Sequence, residues 1–119
     1  MNNFNLIAKL NPNFILKNLP VAIIISDFQG NILWVNENTS AMFEMPKTVL
    51  KRQTLDELII NGFECVKSSV SKGAPVATAV VTQSEREFFV EVSATEQGDN
   101  YFIIIELIRA ITQKILNIF

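Results

Sequence analysis

The chain has 119 residues, 49% of them hydrophobic, with one cysteine, no histidine and a formal net charge of −2. That length holds one domain able to bury roughly two-thirds of its unfolded surface; no apolar run nears the ~18 residues of a membrane span, and scattered Lys and Arg give nucleic acid no basic stripe. The lack of histidine removes the commonest general base and the commonest metal ligand, so neither catalytic residues nor a metal site are expected.

In chain order, Phe4, Ile7 and Leu10 are spaced for a short amphipathic helix. Asn11-Pro12 starts a second turn, Asn as N-cap and Pro at the first helical position, with Ile15 and Leu19 on one side. Residues 1–19 therefore read as an N-terminal helical cap. Residues 21–28 form a strand rich in β-branched side chains, closed by the turn Asp27-Phe28-Gln29-Gly30-Asn31, and residues 32–35 return as its hairpin partner. Asn36 ends that strand and caps a helix over residues 37–43. Met45-Pro46 breaks this helix, and Pro46 opens another short turn through Leu50.

Thr54-Leu55-Asp56-Glu57 has the capping-box form, the Thr hydroxyl accepting a first-turn N–H and the Glu reaching back to the cap. Its helix shows Leu55, Leu58 and Ile59 on one face and stops at Asn61-Gly62. Residues 63–72 make a further helix with Phe63, Val66 and Val70 on one side and Gly73 at its end. Strands follow over residues 74–82, 87–95 and 101–107, separated by turns at 83–86 and 97–100. Asp56, Glu57, Glu85 and Glu87 read as solvated carboxylates.

Two strands, a helical excursion and a three-strand meander predict an α+β fold. It is one five-stranded antiparallel sheet with short helices on one face, plus helices at both termini. In the central strands Ile23 and Ile25 alternate with Ala22 and Ile24, and Tyr101, Ile103 and Ile105 alternate with Phe102 and Ile104. Both faces are thus apolar, whereas a sheet half exposed to water alternates polar with apolar. The second face needs a cover, either the N-terminal helix or a partner subunit.

The stretch from Leu19-Pro20 through Asp27-Phe28-Gln29-Gly30-Asn31 to Trp34-Val35-Asn36 resembles the opening of a PAS domain. In that family a leucine-proline pair leads into an apolar strand ending in Asp, a Gly turn and an aromatic-Val-Asn strand end. Met45-Pro46-Lys47 and the later Leu50-Lys51-Arg52-Gln53-Thr54-Leu55-Asp56-Glu57-Leu58 look like the family's loop into its next helix. The resemblance spans residues 11–112 and implies a sensory module that relays its state to a kinase, cyclase or transcription domain.

The resemblance also sorts cofactors. Light-sensing members carry a Cys within an Asn-Cys-Arg-Phe-Leu-type helix, but Cys65 stands in Phe63-Glu64-Cys65-Val66-Lys67 and reads as a packed thiol. Heme sensors ligate iron through a helical His; only Met42, Met45, Cys65 and Tyr101 could substitute here. Heme and flavin are both disfavoured, and no cofactor is expected. The family's pocket position is formed by Phe43, Leu55, Leu58, Phe63, Val66 and Val70 opposite Val90, Val92 and Ile103, with only Ser26, Thr78 and Ser93 as polar candidates. It reads as a filled core or a site for a small apolar ligand.

Arg109-Ala110-Ile111-Thr112-Gln113-Lys114 resembles the family's exit element, with Ala110 replacing its usual acid. Ile108, Ile111, Ile115 and Ile118 follow 3-4-3 spacing, as in a coiled-coil seam or a helix folded back on its own domain. The domain then divides into a core over residues 20–108 and an exit helix over 109–119, with Arg109, Ile111, Thr112 and Ile115 carrying the signal. The reading is a homodimeric sensor joined through Phe4, Ile7, Leu10, Ile15, Leu19 and the outer sheet face. It binds a small apolar ligand and acts on a downstream domain such as a histidine kinase. The alternatives are a ligand-free pairing module and, third, a heme or flavin redox sensor. A single cysteine, and the lack of a charged leader followed by a long apolar segment, predict a cytoplasmic location.

Overall fold

A computed structural model gives the architecture over residues 21–108. The predicted N-terminal cap residues Phe4, Ile7, Leu10, Ile15 and Leu19 lie outside the described residues, as do the exit residues Arg109, Ile111, Thr112 and Ile115.

The elements are β1 (Ala22–Asp27), β2 (Ile32–Val35), α1 (Glu37–Phe43), α2 (Lys47–Leu50), α3 (Leu55–Leu58), α4 (Gly62–Lys72), β3 (Val76–Val81), β4 (Glu87–Gln97) and β5 (Asn100–Leu107). The five strands form one sheet in the order β2-β1-β5-β4-β3, and every neighbouring pair is antiparallel. The last strand therefore lies at the centre, between the first strand and the meander. Ile24 pairs with Ile103, and Ala94 pairs with Ile103 from the other side. These residues face the helices, and their neighbours in each strand face away.

Local chemistry sets the boundaries. Asp27 turns the β1–β2 hairpin by accepting at Oδ1 from the N–H groups of Gln29 (3.0 Å) and Asn31 (2.8 Å). Gly30 supplies the φ of +89° that the turn requires. These bonds, led by the one from the Asn31 side chain, hold the Asp27 carboxyl below its usual pKa. Asn36 caps α1 as expected, accepting from Thr39 N at 3.0 Å.

Two expectations need correction. Thr54 precedes α3, but its hydroxyl meets the Glu57 carboxylate at 3.2 Å and makes no bond to a helix N–H. The predicted stop at Asn61-Gly62 is a start. The chain leaves α3 at Leu58, Ile59 is extended, and Asn61 with φ +53° is the cap from which α4 begins. Gly62 is needed for space, since a Cβ there would stand 2.5 Å from the Leu55 carbonyl oxygen. The tight crossing of α3 and α4 thus fixes a glycine that reads locally as a helix terminator.

Both edge strands are covered by these same connections. On the β2 side, Ile32 N donates to Gln53 O (3.3 Å) and Leu55 N to Gly30 O (2.9 Å). On the β3 side, Ile60 N donates to Ala79 O (2.9 Å), and Ile59 bridges to Val80. These bonds occupy part of each edge, and β4 beyond Val92 has no β3 partner.

Candidate functional site

The nine residues predicted for the pocket do come together. Phe43, Leu55, Leu58, Val66, Val90, Val92 and Ile103 share one buried cluster, and Phe63 and Val70 pack against it half-buried. Leu50, Ile59 and Val80 belong to the same cluster, each at most 1% exposed. Two of the three polar candidates, Ser26 and Thr78, are in register with the cluster residues Tyr101 and Val90, but each is spent on a backbone carbonyl, Ser26 on Asp27 O (3.0 Å) and Thr78 on Ile60 O (2.6 Å). Ser93 lies on the opposite sheet face from Val92 and Ala94. The space between helices and sheet is lined mainly by hydrocarbon.

Polar clamps close its rim. Buried Asn36 accepts at Oδ1 from Ile23 N (3.0 Å) as well as from Thr39 N, and donates from Nδ2 to Val21 O (2.9 Å). One amide thus caps α1 and supplies the pairing that β1 lacks beyond β2. At the far end of α1, Glu44 stands in a left-handed conformation with φ +59°. Its carboxylate accepts from the Ser84 hydroxyl (2.6 Å) and from the Arg86 guanidinium (2.7 Å), and Gln83 N donates to Phe43 O (3.0 Å). The hydroxyls of Ser84 and Thr82, then Arg86, hold the Glu44 pKa down to about 2. This latch joins the helical side to the β3–β4 turn. Sequence reading missed it because its halves lie 40 residues apart.

The outer sheet face is finished differently. Ile25, Trp34, Phe102 and Ile104 are half-buried, and Phe89 is 70% exposed. None of them belongs to the helix-covered cluster. Ile25 pairs with Trp34 on one side and Phe102 on the other, so the three form a transverse apolar row.

A cavity of about 220 Å³ opens where this face meets the sheet edge. β4 runs to Gln97, but its pairing with β3 ends at Val92 opposite Val76. The space beside the unpaired stretch is walled by Ser69, Pro75, Ser93, Thr95, Phe102 and Ile104, among others. Ala94 N, without a β3 partner, donates to Ser69 Oγ at 2.9 Å. Among the described residues no group of three His, Cys, Asp or Glu side chains is placed to hold a metal ion. Cys65 is buried, its sulfur 3.8 Å from Ile60 O. Among the described residues no helix is long and apolar enough to cross a membrane.

Comparison with known proteins agrees with this architecture. The family model described as PAS fold matches residues 11–107. A PAS domain from Colwellia psychrerythraea aligns with a TM-score of 0.71 at 16% identity, covering 87% of this chain and 98% of its own. A domain of the sensory box sensor histidine kinase/response regulator from Geobacter sulfurreducens gives 0.66 at 20% identity, covering 87% and 97%. The PAS domain of a LuxR-family transcriptional regulator from Burkholderia thailandensis, in complex with ethanol, gives 0.67 at 13% identity, covering 81% and 96%. No curated protein matches the chain.

Proposed function

This chain belongs to the PAS fold family, and on that premise we propose that it is a sensory signalling module. In this reading it works in the cytoplasm as a homodimer, binds a small neutral molecule and passes its state to an output domain such as a histidine kinase. The observation that carries the reading is the outer face, where Ile25, Trp34 and Phe102 form an apolar row and Phe89 projects 70% exposed. We read this half-buried apolar row, with exposed Phe89 on the same face, as an interaction surface. Central β5 is bonded to β1 and β4 on its two sides and leads directly into residues 109–119. A displacement of that strand reaches the chain's exit without an intermediary. The sensor-kinase origin of the Geobacter sulfurreducens domain supports the choice of output, and the ethanol in the Burkholderia thailandensis domain supports a small neutral ligand.

A second reading, a pairing module without a ligand, is favoured by the closely filled inner core. Native mass spectrometry of the purified chain separates the two. A dimer carrying extra mass that is lost on denaturation supports the sensor. A dimer without extra mass supports the pairing module, and a monomer without extra mass overturns both.

A further inference from the structure

We propose that this chain takes its ligand in the cavity at the open edge of β4, not between the helices and the sheet. The ligand class is a small neutral molecule with an apolar body and one oxygen acceptor. The inference rests on the sensory reading above and names where that sensing occurs.

The first ground is space. The inner cluster is occupied by Phe43, Leu50, Leu55, Leu58 and Val66, each at most 1% exposed. The β4 cavity, open to solvent on one side, holds about 220 Å³, more than the ~150 Å³ of a closed cavity that takes benzene. An occupant of about seven heavy atoms therefore fits.

The second ground is an unused donor. Ser69 is 1% exposed and lines the cavity. Its oxygen accepts from Ala94 N, yet its own proton has no acceptor among the described residues. A buried hydroxyl normally delivers its proton, and an oxygen on a bound molecule would receive it. The Ser93 and Thr95 hydroxyls on the same wall also lack side-chain partners among the described residues, while Phe102, Ile104 and Pro75 supply the apolar surface. Among the described residues no ionisable side chain lines the cavity, so it offers a charged ligand no counter-charge.

The third ground is position. Phe102 and Ile104 belong to β5, the strand that continues into the exit. An occupant pressing on them acts on the output strand directly.

The test is a titration of the full chain with cyclohexanone, followed by amide chemical shifts in two-dimensional NMR. Saturable shifts are expected at Ser69, Gly73, Ser93, Ala94 and Phe102. Ser69→Ala should weaken binding about three- to tenfold, the range of one hydrogen bond. Ser93→Leu, which fills the wall without removing any side-chain bond, should abolish it and keeps the test valid if Ser69→Ala unfolds. Saturable shifts at Leu58 and Val66 instead would overturn this placement while leaving the sensory reading intact. Absence of any saturable shift would overturn the proposal, and the dimer and bound mass sought by native mass spectrometry would still decide the broader reading.

Discussion

On the inner face of the sheet, Ala22, Ile24, Val90, Val92, Ala94, Ile103 and Ile105 are between 0% and 7% exposed under the four helices. On the outer face, Ile23 is fully buried, Ile25, Trp34, Phe102 and Ile104 are half-buried and Phe89 is 70% exposed, though these residues too are large and apolar. The inner face is closed by covalently connected helices, pinned at one end by Asn36 and at the other by the Glu44 latch. Such a cover adds stability and leaves little freedom. The outer face and the β4 edge carry apolar surface that is less completely enclosed, and there a partner or ligand can change what the sheet feels. The difference teaches that hydrophobicity by itself does not separate the closed inner face from the partly open outer one. What separates them is whether the cover is held by local connections.

The largest effect that can break this comparison is Phe43→Ala. Removal of a fully buried aromatic from the inner cluster should cost about 3–5 kcal/mol in denaturant unfolding, whereas Phe89→Ala should stay within about 0.5 kcal/mol. Equal losses at the two positions would mean that both faces are core. Next in size is Asn36→Ala. It removes the α1 cap and leaves Ile23 N and Val21 O without their partner, for a loss of about 2–3 kcal/mol in the same measurement. A smaller loss, about 1–3 kcal/mol from overpacking, is expected for Gly62→Ala, where the new methyl meets backbone that cannot retreat. A neutral result there would show that the α3–α4 crossing is loose.

The smallest effect is the pH dependence of the latch. Glu44 titrates near 2 in the folded chain against an ordinary value of 4.5, so the folded state binds fewer protons between those limits. Its contribution is present above about pH 4.5 and is lost as pH falls towards 2. Unfolding midpoints of the parent chain should approach those of Glu44→Gln over that window. A constant difference between the two down to pH 2 would remove Glu44 from the latch.

Much of the fold is legible in local patterns. The Asp27–Asn31 turn, the Asn36 cap, the alternation of Val90, Val92 and Ala94, and the doubly apolar strands each depend on residues a few positions apart. The nine residues expected at the pocket position follow from helix and strand periodicity together with the family resemblance. Other features escape that reading because their partners are distant in sequence. Ser69 meets Ala94 across 25 positions, and Glu44 meets Ser84 across 40. Gly62 is explained only by the Leu55 carbonyl beside it. The β4 cavity arises from a difference in strand length, since β4 outruns β3, and boundaries of one or two residues decide whether it exists at all. Thr54 failed as a capping box because its hydroxyl has the Glu57 carboxylate within reach.

Sedimentation equilibrium of the parent chain beside Phe89→Glu and Ile25→Lys tests most directly whether the outer face pairs two copies of the chain. The prediction is a dimer for the parent and a monomer for at least one variant, with Phe89→Glu keeping the parent's unfolding midpoint at matched concentration once any dimer contribution is subtracted. A monomeric parent at 100 μM (about the upper range in which a specific pairing of ~1 μM affinity would be nearly complete), or a dimer untouched by both charges, would contradict it.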